Sequence, residues 1–172
     1  MSTQGDLLAH KARALAQSHP FSPLAKRFAD RAAAGEQESQ SLAVVADWAS
    51  SALTAGYCLR RVEEIEVGIT LAAAAGGTEP TLDELDRQSQ RVTADLRSSQ
   101  RPADSPYEPL LDEELIVVAL DRIITSEVSR RQDNVRDGVD DAAWNEFEEY
   151  IAWWVIRGYA LRVSEATTGA LV

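Results

Sequence analysis

The segment WNEFEEYIAWWVIRGYALRVSE, residues 144–165, contains three of the four tryptophans and sets the architecture of the chain. On an α-helix successive side chains are rotated by about 100°, so residues three and four apart share a face. The apolar side chains then form one broad face: Phe147, Tyr150, Ile151, Trp154, Val155, Gly158 and Leu161. Trp153 and Ile156 lie on the opposite, mostly polar face. A helix that is apolar on two sides is either central to the fold or covered by a partner.

The end of this segment repeats an earlier one. GYALRVSE at 158–165 and GYCLRRVE at 56–63 share the pattern Gly-Tyr-x-Leu-Arg-x-x-Glu. A glycine inside a helix costs about 1 kcal/mol relative to alanine, so its recurrence predicts that the two helices approach each other closely there. An internal duplication of residues 1–77 and 78–172 would explain the repeat, and so would chance or shared packing over so few residues.

Charged side chains occur in both copies where core residues are expected. Arg162 and Glu165 lie in line with the apolar face of their helix. In the earlier copy Glu63 lies inside the apolar arc and Arg60 lies at its edge. Residues three apart on a helix can form an ion pair. Because buried charges are costly unless they are paired, we predict a charge network between the two helices.

Length and composition favour one helical domain over residues 1–172. The chain is 45% hydrophobic and uses little glycine and proline, which suits helices with a sizeable core. A net charge of −11 and a pI near 4.6 argue against a nucleic-acid partner. Cys58 is the one cysteine, and the N-terminus lacks the pattern of a signal peptide. No apolar run reaches the roughly 18 residues of a membrane span, so we expect a cytoplasmic protein with no membrane partner.

The periodicity predicts about six helices, two of them long, and no convincing strand. We place them at 6–18, 23–34, 42–75, 82–99 and 110–131, with the last beginning near Asp140 and the third bending near Gly68. Their boundaries are prolines, glycines and the capping box TLDE at 81–84. The predicted fold class is therefore all-α, packed as a helical bundle or an orthogonal helical array.

Common metal and nucleophile patterns do not occur in the sequence. Only His10 and His19 are present, and neither stands in the Glu-x-x-His pattern of di-iron bundles, so we expect no metal, no cofactor and no catalytic triad. One alternative is a Mg²⁺-dependent nucleotide phosphohydrolase that uses helix carboxylates. The candidates are Glu63, Glu64, Glu66, Glu113, Glu114 and Asp121. The competing interpretation is that most of them are solvated, Glu64 and Glu114 in particular.

The repeated Arg–Glu pairs are the best candidate for a ligand-binding site. The predicted set is Arg60, Glu63, Glu66, Glu127, Arg162 and Glu165, walled by Trp48, Trp154, Tyr57 and Tyr159. Glu66 and Glu127 belong to it because each falls among the apolar positions of its helix. As a site, the two arginines would bind a small anionic ligand. As architecture, the pairs would fix helix register and bind nothing.

The leading functional hypothesis is a non-enzymatic interaction or regulatory protein. It rests on the missing catalytic patterns and on the apolar surface contributed by Trp153 and Ile156. We expect the protein to form a homo-oligomer, or to bind another protein, through that surface. A small-ligand-binding bundle and the phosphohydrolase are the alternatives.

Overall fold

A computed structural model describes residues 4–18, 25–32, 43–68, 82–98, 110–135 and 140–167, with side chains outside the description at 43–47, 131–135, 143 and 165–167. In chain order the helices are α1 Gln4–Ala16, α2 25–32, α3 Ala43–Glu66, α4 Leu82–Arg97, α5 Glu113–Val135 and α6 Asp141–Thr167. The two longest are α6, with 27 residues, and α3, with 24. These ranges contain no strand, which confirms the all-α class and the predicted number of helices.

Helix α3 ends earlier than predicted. The helix expected to reach Ala75 stops at Glu66, where the N–H of Gly68 bonds to the carbonyl oxygen of Ile65 at 3.1 Å. Gly68 has a φ of 76°, in the left-handed region that glycine adopts readily. The regular helix therefore ends before Gly68, and the predicted continuation over 69–75 lies outside the described residues.

Helix α5 begins later than predicted, at Glu113 instead of Leu110. Asp112 caps it, because its side-chain oxygen accepts the N–H of Glu114 at 2.9 Å and its carbonyl oxygen accepts the N–H of Ile116 at 3.3 Å. A side-chain oxygen at this position satisfies a backbone donor that has no partner within the helix. Helix α6 begins at Asp141, as its acidic start predicted.

Helices α3 and α6 form the centre of the fold and run side by side in the same direction. Near their starts, the rings of Trp48 and Phe147 are 5.3 Å apart. Near their ends, the Arg162 guanidinium hydrogen-bonds to the Glu64 carboxylate. The starts of the two helices contact each other, and so do their ends, so the pair is parallel. Each position of α3 faces the position of α6 that lies about 100 residues later in the sequence.

The close approach predicted from the two glycines is confirmed. A Cβ added at Gly56 would lie 1.8 Å from the carbonyl oxygen of Val155, and one added at Gly158 would lie 2.0 Å from that of Leu53. Real Cβ atoms essentially never come within 3.0 Å of another heavy atom. The two helices therefore touch backbone to backbone, a geometry that only glycine permits.

The other helices cover this central pair. Helix α1 packs on α3 and α5, α4 packs on α6, and α5 also contacts both central helices. Their buried apolar residues include Leu8, Ala12, Val92, Ile116 and Ile123. Helix α2 contributes Phe28 to a smaller core cluster with Tyr57, Leu85 and Leu161. The C-terminal halves of α3 and α6 are consequently enclosed, and it is there that the charged residues lie.

Candidate functional site

The first buried polar cluster is centred on Glu63, whose side chain is fully enclosed. Arg60 donates to its Oε1 at 3.0 Å and to the Tyr159 hydroxyl at 3.1 Å, and that hydroxyl in turn donates to Glu63. The other carboxylate oxygen accepts the backbone N–H groups of Leu110 at 2.7 Å and Leu111 at 3.1 Å. The predicted Arg60–Glu63 pair is confirmed, and Glu63 also anchors the chain that leads into α5.

The Arg60 guanidinium stays charged in this setting. Burial acts to lower its pKa, but the neighbouring Tyr159 and Glu63 outweigh burial and raise the pKa above its ordinary value. A permanently charged donor beside a buried carboxylate satisfies both groups within the protein. The cluster therefore holds a neutral ion pair rather than an uncompensated charge.

The second cluster joins Arg162 of α6 to Glu64 and Tyr57 of α3. The Arg162 Nε atom donates to the two carboxylate oxygens at 3.0 and 3.2 Å, and Nη1 donates to the tyrosine hydroxyl at 3.2 Å. Glu64 is only 3% exposed, so the expectation that it belongs to a solvated face is wrong. Glu114 is exposed as expected. The predicted pairing of Arg162 with Glu165 stays a prediction, because the Glu165 side chain lies outside the described residues.

Two carboxylates that the sequence assigned to the same site lie elsewhere. Glu66 is exposed and pairs with Lys11 of α1 at 2.5 Å, so it contributes nothing to a buried network. Glu127 is buried, where it accepts hydrogen bonds from Ser51 at 3.1 Å and Arg130 at 3.2 Å. Since Ser51 precedes Arg60 by about two and a half helical turns, Glu127 forms a separate polar contact between α3 and α5.

The predicted tryptophan walls do not adjoin the clusters. Trp48 and Trp154 precede the glycine contact along their helices, whereas both arginines follow it. Trp48 packs edge-on against Phe147, and Trp154 packs at 84° to the neighbouring Trp153 ring. The two tyrosines are different: the arginine of each cluster lies over the tyrosine ring of the other helix, at 5.6 Å for Arg60 and 5.5 Å for Arg162.

Arg157 is a structural residue that the sequence interpretation missed, because its position placed it on the polar side of α6. Its guanidinium pairs with Asp86 of α4 and lies 4.8 Å from the Trp153 ring centre and 5.5 Å from that of Phe28. The available signal was the four-residue spacing of Trp153 and Arg157, which puts a cation on an aromatic face. Trp153 is half-buried under this contact.

Metal and thiol chemistry find little support in the described part of the chain. No group of three or more His, Cys, Asp or Glu side chains there is placed to hold a metal ion. Of the six candidate carboxylates, Glu63 and Glu64 are bound to arginines, while Glu113 and Asp121 are exposed on α5. Burial raises the pKa of the Cys58 thiol to about 12, so it is protonated and a poor nucleophile at neutral pH.

Comparisons with known proteins give no information about the function of this chain. No family model, curated protein or solved structure matches it. In the described ranges, no helix combines the length and apolar character needed to cross a membrane. The site geometry is that of two internally satisfied Arg–Tyr–Glu clusters at one helix interface.

Proposed function

We propose that the protein is a non-enzymatic interaction protein that self-associates through the outer face of α5. The observation that carries this proposal is the exposure of two adjacent valines, 60% for Val117 and 37% for Val118. Ile116, Ala119 and Leu120 of the same run are buried, so the helix is apolar toward the core and toward solvent. Neighbouring apolar side chains on the solvent side of a helix form a candidate contact surface.

The charges beside the valines suit contact with a second copy. Asp121 and Arg122 follow on the next turn and are both exposed. Arg122 donates its Nε to Asp6 of α1 at 2.6 Å, but its side chain is 52% exposed, so its outer nitrogens face solvent. In a two-fold symmetric contact the same surface patch is used twice, so these nitrogens can face the aspartate of the other copy. Opposite charges next to an apolar pair therefore make this patch complementary to itself. The surface nominated by the sequence, around Trp153, is less suitable because Arg157 covers part of that ring.

The buried clusters favour this function over the small-ligand alternative. A site that binds an anion needs arginine donors that the protein itself leaves available. Arg60 and Arg162 are each under 10% exposed and already donate to a glutamate and a tyrosine. We therefore interpret the clusters as architecture and seek the function on the surface.

Light scattering over a concentration series tests the proposal. The apparent mass of the wild type is expected to rise from the monomer value of 18.8 kDa toward twice that value. Val117→Lys should remain monomeric, because a lysine at the contact removes apolar area and repels its counterpart. Ile65→Lys is the matched control, since Ile65 is 61% exposed on α3 and the change in net charge is identical. A wild type that stays at the monomer mass, or two variants that behave alike, would refute the proposal.

A further inference from the structure

The glycine contacts and the arginine–tyrosine contacts between α3 and α6 are reciprocal. Adding 102 to a residue number converts Gly56, Tyr57 and Arg60 into Gly158, Tyr159 and Arg162. Arg60 donates to Tyr159 at 3.1 Å, and Arg162 donates to Tyr57 at 3.2 Å. A Cβ on Gly56 would meet Val155 and Tyr159, which lie three residues before and one residue after Gly158. A Cβ on Gly158 would meet Leu53 and Tyr57, which lie three residues before and one residue after Gly56. When residue i meets j and the equivalent of j meets the equivalent of i, the two partners are related by a two-fold axis.

The same relation extends to α2 and α5. Residues 25–32 and residues 116–123 show the same succession of buried and exposed positions, and only the last position differs. The dipeptide Asp-Arg occupies equivalent exposed positions in both, at 30–31 and at 121–122. Each arginine then reaches the first helix of the other half: Arg31 pairs with Asp83 of α4 at 3.1 Å, and Arg122 pairs with Asp6 of α1 at 2.6 Å.

Helices α1 and α4 complete the correspondence. Aligning Asp6 with Asp83 places the buried Leu8 on the buried Leu85. One turn later it places Ala12 on Ser89, and neither side chain is exposed. Each first helix packs on the third helix of its own half and contacts the second helix of the opposite half, α1 with α5 and α4 with α2. The two halves are thus interlocked in the way that two subunits of a symmetric dimer are.

We infer that the face of α3 around Gly56 is a self-complementary interaction surface whose partner is a second copy of the same three-helix unit. Residues 78–172 supply that copy within the chain, so the protein is built as a covalently joined dimer of two similar units. This inference does not depend on self-association through α5, because the surface it concerns is the interface between the halves.

A circular permutant of the full chain tests the inference. It begins at residue 78, runs to 172 and continues from 1 to 77. Fifteen residues join Glu66 to Leu82, whereas the joined termini supply eight between Thr167 and Gln4, so a seven-residue Gly/Ser insert makes the two connections equal. Since loops of equal length have equal closure entropy, we expect a helical permutant that melts within about 10 °C of the wild type. An unfolded permutant, or a larger loss of Tm, overturns the inference.

A second measurement does not depend on the new connection. A protease site inserted after Gly77 allows the folded chain to be cut between its halves. After unfolding in urea and dilution, the two pieces should recombine one to one, with a midpoint that rises with protein concentration. The same cut protein carrying Gly56→Leu is the control and should not recombine, because the interface cannot close. Pieces that fail to recombine without that substitution overturn the inference.

Discussion

Replacing Gly56 by alanine tests the central feature of the fold. The new Cβ would lie 1.8 Å from the Val155 carbonyl oxygen, 2.8 Å from its carbonyl carbon and 2.9 Å from the Tyr159 nitrogen. All three are backbone atoms, so no side-chain rotation relieves the clash. To restore van der Waals contact, α3 and α6 would have to separate by about 1.5 Å. That movement would also stretch the hydrogen bonds of both arginine clusters, which span the same interface.

The expected magnitude follows from two opposing effects. Alanine gains about 1 kcal/mol of helix propensity over glycine, so without tertiary contacts the substitution would stabilise α3. Overpacking a rigid core costs typically about 1–3 kcal/mol and occasionally more. All three atoms that the new Cβ would meet are backbone atoms of α6, which puts this site at the upper end. We therefore expect a net loss of about 2 kcal/mol or more in the free energy of unfolding.

Urea denaturation followed by circular dichroism at 222 nm measures this loss as a lower midpoint with an unchanged slope. Gly5→Ala in α1 is the matched control. Its new Cβ would lie 2.4 Å from Val118 Cγ1, which can rotate away, and 2.9 Å from Val118 Cβ, which cannot, while the nearest backbone atom, Ala119 N, is 3.5 Å away. A small shift of α1 relieves the remaining contact, and its cost is offset by the helix propensity that alanine gains over glycine. We expect the control to change stability by less than about 1 kcal/mol. If Gly56→Ala is as stable as the wild type, the backbone contact between α3 and α6 is wrong.

Three further predictions concern the buried ionisable groups. Glu63→Gln should lower the free energy of unfolding, measured by urea denaturation, by about 3–5 kcal/mol, because it leaves the Arg60 guanidinium buried without its counter-ion. Glu66→Gln is the control: it removes an exposed ion pair and should cost at most about 1 kcal/mol. Arg162→Met should lower the free energy of unfolding by a similar amount, about 3–5 kcal/mol, and adding Glu64→Leu should restore most of that loss. A double variant that is no more stable than the single variant would contradict this explanation. The pKa of Cys58 is about 12 in the fold against an ordinary value of 9.0, so its stabilisation is complete below pH 9 and is lost as pH rises toward 12. Relative to Cys58→Ala, the wild type should lose about 1.4 kcal/mol per pH unit in that window, and parallel curves would show that the thiol is not shielded.

Local spacing predicted much of this structure. The positions of α3 and α6, their glycine contact and the Arg60–Glu63 pair all follow from which residues share a helix face within a few turns. Most of these features are relations between residues of a single helix. The glycine contact is the exception, and it was predicted because a glycine inside a helix is costly unless two helices approach closely there. Sequence periodicity reports such relations directly.

The partner of Arg162 could not be predicted in the same way. Glu64 is rotated by about 100° from Glu63 and falls outside the apolar arc of α3, which is why it was expected to be solvated. It is buried because helices in backbone contact enclose their flanks as well as their facing stripes. The early end of α3 has a similar explanation. Five residues of high helix propensity, LAAAA at 71–75, follow Gly68 closely in the sequence, and only the positive φ of Gly68 shows where the helix stops.

The polar clusters solve a problem that the glycine contact creates. Gly56 and Gly158 have no side chains of their own to oppose the sliding of one helix along the other. A slide of one turn would move each arginine by about 5.4 Å from its tyrosine and leave its guanidinium buried without partners. Buried polar contacts of this kind select one register among several that apolar packing alone would tolerate. If the recovery of stability in the Arg162→Met, Glu64→Leu variant is accompanied by broadened tryptophan side-chain NMR signals, the clusters specify alignment rather than stability.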